Sequence, residues 1–180
     1  MESLSVTTIK LTGMEKAVED SWSNNKTAFF FDQTGTASRF FVYKGKLVEL
    51  NRSMVQMSMG AKTVDELKEE LRKAFYFAMK SGDTLCFYSD KLIGRFNEYF
   101  DEEYLPEEIF EPEKIKDKEL YKKILREGED VDSFGNKGWF EMKEDFKVCM
   151  IVEREPDAED NNEIGERLDT ERFDFYKIEN

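Results

Sequence analysis

The stretch Thr27-Ala-Phe-Phe-Phe31, followed at once by Asp32-Gln-Thr-Gly35, sets the reading of the whole chain. A short, continuous, aromatic-rich apolar run bounded by turn residues suits a β-strand covered on both faces. Two further runs have the same character: Asp83-Thr-Leu-Cys-Phe-Tyr88, closed by Ser89-Asp90, and Phe146-Lys-Val-Cys-Met-Ile-Val152. Leu47 to Leu50, entered through Lys44-Gly-Lys46, and Phe173 to Ile178 read as two more strands.

Between these runs apolar residues recur at three- and four-residue spacing. Met14, Ala17, Val18 and Trp22 fall on one helical face, and Asn24-Asn-Lys26 ends that pattern. The clearest helix is expected over 64–81. Thr63 with Glu66 three residues on makes a capping box, in which hydroxyl and carboxylate satisfy helix-start N–H groups reciprocally. Val64, Leu67, Leu71, Phe75, Ala78 and Met79 then line one face, and Gly82 closes the helix as a left-handed cap. Residues 91–127 read as helical, with Leu92, Phe96, Tyr99 and Phe100 on one face and interruptions at Pro106 and Pro112. Arg39 to Tyr43 fits either a helix or a strand. Residues 127–138 form a loop, and 156–162 an acidic surface loop.

Strands that alternate with helices imply an α/β fold: a largely parallel sheet with helices on both faces. Residues 1–180 suit one domain, with 1–13 as an N-terminal extension. The functional edge of such a sheet lies at the carboxyl ends of its strands. Here those ends are Asp32 to Gly35, Ser89-Asp90 and Glu153 to Pro156, all polar.

Composition narrows the function. With 39% hydrophobic residues and 16 Phe, the chain has the bulk for a core. A net charge of -13 repels nucleic-acid phosphates and anionic membranes and favours basic partners or cations. No apolar run approaches a membrane span or a secretory signal, so a cytoplasmic protein is expected. Cys86 and Cys149, each inside an apolar segment, read as buried small hydrophobes in a reducing compartment. Histidine is absent, which removes Ser-His and Cys-His nucleophile pairs, imidazole acid–base catalysis and His-ligated zinc.

Three segments, in order and spacing, resemble the AAA modules of P-loop-type proteins. Thr27 to Ala37 looks like the strand and turn of the fifth AAA module of dynein heavy chain. Lys80 to Asp90 is similar to that family's helix end and Walker-B-like strand, and Phe146 to Pro156 to its sensor strand. A similar trio occurs in the AAA-like domain of IQ-motif and ankyrin-repeat proteins, which the stretch Leu105 to Leu125 resembles more closely. The resemblance spans about 15–178. It implies a P-loop NTPase-like frame, protein partners in a larger assembly, and a cytoskeletal, ciliary setting near axonemal microtubules.

The departures decide how much of this carries over. A working P-loop needs G-x-x-x-x-G-K-[ST], whose backbone N–H groups cradle phosphates while Lys and hydroxyl meet phosphate and magnesium. No Gly-Lys-Ser or Gly-Lys-Thr occurs, since Gly45-Lys46 is followed by Leu47 and Gly35 by Thr36. The expectation is therefore a degenerate module without a cofactor, a scaffold and not an enzyme.

Two candidate sites stand beside that reading. Asp32, Thr34, Gly35 and Ser38 could present an anion-facing turn, with Asp90 as the acid of the Walker-B-like strand; the plainer account is an Asx turn in which Asp32 bonds its own following backbone. Asp130, Asp132, Gly135 and Glu141 fit positions one, three, six and twelve of a calcium loop, but Phe134 sits where the fifth ligand belongs and Lys137 at the eighth position. The acid clusters at 101–103, 107–108 and 157–160 read as solvated surface, and the Phe29–Phe31 and Phe40-Phe41 runs as core strands.

Overall fold

In the computed structural model, which describes residues 4–179, strand Thr27–Phe31 (β2) lies inside a six-stranded sheet and every one of its five residues is buried. The other strands are Val6–Lys10 (β1), Lys46–Glu49 (β3), Thr84–Ser89 (β4), Lys147–Val152 (β5) and Phe173–Glu179 (β6). The order across the sheet is β1-β6-β2-β5-β4-β3, and every neighbouring pair is parallel. This is the α/β class expected, and it is consistent with a P-loop-like frame. The segment read as an N-terminal extension supplies edge strand β1, whose residues 7 and 8 are exposed.

Alternation along the strands divides two cores. Phe29, Phe31, Leu85, Phe87, Val148, Met150 and Val152 point to one face, where Val64–Ser81 (α4) packs Leu67, Leu71, Phe75 and Met79 against them. Ala28, Phe30, Cys86, Cys149 and Ile151 point to the other. There Met14–Ser23 (α1) contributes Met14, Ala17 and Val18, and Thr36–Lys44 (α2) contributes Ala37 and Phe41. Each of the buried phenylalanines contributes roughly 2–3 kcal/mol of burial free energy, and edge-to-face contacts such as Phe29 on Phe173 and Phe87 on Phe96 fix their rings. Cys86 and Cys149 are free, buried and in register on adjacent strands.

Helix α4 starts on the capping box at Thr63 and ends on Gly82, whose φ is 81°. Arg39 to Tyr43 resolves as part of α2, so Phe40-Phe41 lies on a helix and not a strand; Phe41 is buried and Phe40 half-buried. Leu50–Ser58 forms a further helix (α3).

The largest departure is 91–127. The chain breaks into more and shorter pieces than the two prolines require: Phe96–Tyr99 (α5), a 3-10 turn at Glu107–Phe110, Pro112–Ile115 (α6) and, within the helical stretch expected after Pro112, Lys118–Lys123 (α7). Leu92 is exposed, while Phe96, Tyr99, Ile109, Phe110 and Ile115 are buried. Pro106 and Pro112 lack the N–H a continuous helix needs, and an antiparallel bridge between Asp101 and Leu105 folds the chain back just before the first proline. Aromatic packing across the sheet outweighs helical periodicity here.

One buried cation ties this face together. Arg72 of α4 donates to both oxygens of Glu69, both of Glu129 and the Ile124 carbonyl. Burial opposes its charge, but the two carboxylates prevail and hold its pKa above the ordinary arginine value. Asp160, expected on an acidic surface loop, is instead buried at the start of Asp160–Gly165 (α8), where Arg154 pairs with it and with Glu163. A carboxylate can leave water there because the guanidinium meets it.

Candidate functional site

The connections after β2 and β5 leave the sheet on opposite faces. Helix α2 follows β2 and packs in the core with Phe30, whereas α8 follows β5 and packs Ile164 in the core with Phe31. In a parallel sheet, the crevice between two such neighbouring strands is where ligands bind. Register places three acids at one level on three adjacent strand tips. Phe31 pairs with Val152 and Val152 with Ser89, so Asp32, Glu153 and Asp90 follow together.

Asp32 is fully buried and faces its own turn. Its Oδ1 accepts from the Thr34 N–H at 2.9 Å and the Thr34 hydroxyl at 2.7 Å. Its Oδ2 accepts from the Ala37 N–H at 2.6 Å, inside the first turn of α2. The Asp32 N–H in turn donates to the Val152 carbonyl. The carboxylate thus serves both as the hub of an Asx turn and as a helix-start acceptor, where its charge suits the dipole. Gly35 caps α2 with φ 67°, a left-handed conformation that costs L-residues energy, and the Ser38 hydroxyl donates back to its carbonyl.

Glu153 stands beside that cap. A Cβ added to Gly35 would lie 2.9 Å from Oε2 of Glu153 and 3.3 Å from Oε1. The Glu153 carboxylate therefore lies against the glycine that caps α2. Tyr88 of β4 donates its hydroxyl to that carboxylate. Burial, then the Glu153 charge, pushes the Tyr88 phenol well above its usual pKa, so it remains a donor. The Glu153 N–H donates to the Ser89 and Asp90 carbonyls, which fixes the strand tip beneath it. Arg154, the cation that follows, is engaged by Asp160 and Glu163.

Asp32, Thr34 and Gly35 thus share one turn, while Asp90 is exposed just past the end of β4, one strand beyond β5. Glu153, read from the sequence only as part of a strand tip, stands between them. The signal that could have singled it out is register, which a single sequence does not print. A groove of about 770 Å³ lies elsewhere, along edge strand β3, and Asp32, Gly35, Asp90 and Glu153 do not line it.

The residues at 130–141 are also brought together, around a lysine. Lys122 of α7 donates from Nζ to Asp130 Oδ2 at 2.9 Å and to the Gly138 carbonyl at 2.7 Å, placing an ammonium among oxygens that a cation would use. Burial alone would raise the Asp130 pKa; Lys122 and the Phe140 N–H hold it below the ordinary value. Asp132 accepts from the Phe134 and Asn136 N–H groups and from the Asn136 side chain, and those bonds lower its pKa. Glu141 is exposed, 3.8 Å from Lys118. Among the described residues no group of three or more His, Cys, Asp or Glu is placed to hold a metal ion.

Among the described residues no helix is long and apolar enough to cross a membrane. No protein-family model, no curated protein and no solved structure matches the chain, so function has to be argued from the crevice itself.

Proposed function

We propose that this chain is a non-catalytic protein-interaction domain: a P-loop-type frame whose phosphate seat is closed by its own carboxylate. The observation that carries this reading is Glu153 resting on Gly35 at the mouth of α2. A phosphate brought to within about 4 Å of that carboxylate meets a like-charge repulsion of roughly 4 kcal/mol at an effective dielectric near 20. The sequence offers no glycine-lysine cradle to offset it, and Asp32 has turned its oxygens toward its own backbone. With the crevice spent on structure, the surface is what remains for function, and its net charge of -13 favours basic protein partners over nucleic acid. The resemblance to dynein-related and ankyrin-linked modules supports membership of a larger cytoskeletal assembly, with the ciliary axoneme as the setting.

Thermal unfolding with and without magnesium nucleotide tests the reading. A ligand at 100 times its Kd stabilises the folded state by about 2.7 kcal/mol, worth roughly 5–10 °C for a chain of this size. We expect 5 mM MgATP or MgGTP to move the midpoint by less than about 1 °C. A shift of several degrees would remove the scaffold reading.

A further inference from the structure

The loop at 130–141 has an unusual outer surface. Phe134 is 89% exposed and Trp139 is 63% exposed, within six residues of each other. Single exposed apolar residues are ordinary on protein surfaces. Two large aromatics on a loop this firmly held are not, because a mobile loop could tuck them away. Its base is bolted down at both ends. Glu129 is pinned by buried Arg72, and Phe140 is buried against Tyr76 and Tyr121. Inside, Val131 and Lys137 form an antiparallel bridge, and the Asp132 N–H donates to the Asn136 carbonyl. Asp132 gathers the Phe134 and Asn136 N–H groups, and Lys122 clamps Asp130 to the Gly138 carbonyl. Gly135 and Gly138 take φ of 86° and 80°, the conformations that let so short a loop close.

We infer that this loop is a preorganised aromatic knob that inserts Phe134 and Trp139 into an apolar pocket, ringed by Lys and Arg, on a partner protein. Rigid aromatics bury much area for little conformational entropy, which is why Trp and its kin dominate binding hot spots. Holding them in place beforehand removes ordering costs from association. The partner's chemistry follows from charge: Arg72, Lys122 and Lys118 meet Glu129, Asp130 and Glu141, which leaves Glu127 and Asp132 against Lys137 within 127–141, on a chain whose net charge is -13. A second copy of the chain, at -13, is a poor match for such a rim. This inference rests on the protein-interaction reading above but names a different surface, so nucleotide found in the crevice would sink that reading without touching the crosslinks below.

The test uses the full chain with a photocrosslinker as the probe. Phe134→p-benzoylphenylalanine and Trp139→p-benzoylphenylalanine are illuminated in extract of the native source, with Tyr43→p-benzoylphenylalanine, 89% exposed on α2, as the control. The expected result is one heterologous adduct from 134 and 139 and not from 43, mapping to apolar residues flanked by Lys or Arg. The purified partner should then bind at least tenfold more weakly to Phe134→Ser or Trp139→Ser, whose unfolding midpoints stay unchanged, and more weakly as salt rises. No adduct, equal adducts at all three sites, a self-adduct, an acidic target, or unchanged affinity of the serine variants would each overturn the proposal.

Discussion

Replacing Gly35 by alanine probes the closed seat quantitatively. Two costs are written into the geometry. The first is conformational: at φ 67° an L-residue loses about 1–2 kcal/mol relative to glycine. The second is local, because the new Cβ would sit 2.9 Å from Glu153 Oε2. The carboxylate is the end of a flexible side chain, so it can swing away, but only by giving up the Tyr88 hydroxyl, a bond worth about 1 kcal/mol at a half-exposed position. Gly35→Ala should therefore cost about 2–3 kcal/mol, and Glu153→Ala about 1 kcal/mol. In the double variant the Tyr88 bond is lost only once, so its cost should stay near 2–3 kcal/mol and fall short of additivity by about 1 kcal/mol. Urea unfolding of the four proteins gives the cycle, with m-values as the check on two-state behaviour. Costs that add to within about 0.3 kcal/mol would show that Glu153 does not rest on Gly35 in solution.

Other consequences follow from the same contacts. Arg72→Ala strips two carboxylates and the Ile124 carbonyl of their donor and should cost about 3 kcal/mol in urea unfolding; a loss under 1 kcal/mol would contradict the role given to it. Glu69 and Glu129 have pKa values depressed below the usual carboxylate range, Glu69 by Arg72 directly and Glu129 by Arg72 in spite of its burial. Their contribution is thus complete above the unfolded carboxylate pKa and disappears as pH falls through the lower folded values. Followed by circular dichroism, acid unfolding of Arg72→Met should begin at a higher pH than in the parent, and coincident curves would refute this. Cys86, whose thiol burial pushes up, and Cys149 beside it should resist a thiol reagent until the chain is unfolded, so rapid native labelling of either would argue against the sheet register. Millimolar calcium should leave the amide resonances of 130–141 in place, because Lys122 already sits among their oxygens; saturable shifts there would support the cation reading instead.

The fold was readable where composition leaves one choice. Thr27–Phe31 and Lys147–Val152 have no polar face to turn to water, and the Thr63–Glu66 box with Gly82 brackets α4 at both ends. Residues 91–127 were misread because aromatic side chains at helical spacing also serve a chain that winds across a sheet, and Phe96 with Phe110 is held by rings from elsewhere in the sequence. Asp160 looked solvated for a similar reason: its partner Arg154 is close in sequence, but the ion pair that permits burial depends on how the chain turns after β5. Within the candidate site, the turn at Asp32 to Gly35 could be found from residue types. The residue beside it could not, since Glu153 reaches Gly35 only through the β2–β5 register, which pairs Phe31 with Val152 far down the chain.

Equilibrium titration of MgATP and MgGTP into the unmodified protein, followed by calorimetry to millimolar ligand, bears most directly on whether the crevice is shut. The account predicts dilution heat alone for both nucleotides. A saturable isotherm with micromolar Kd, abolished by Thr34→Ala, would contradict it.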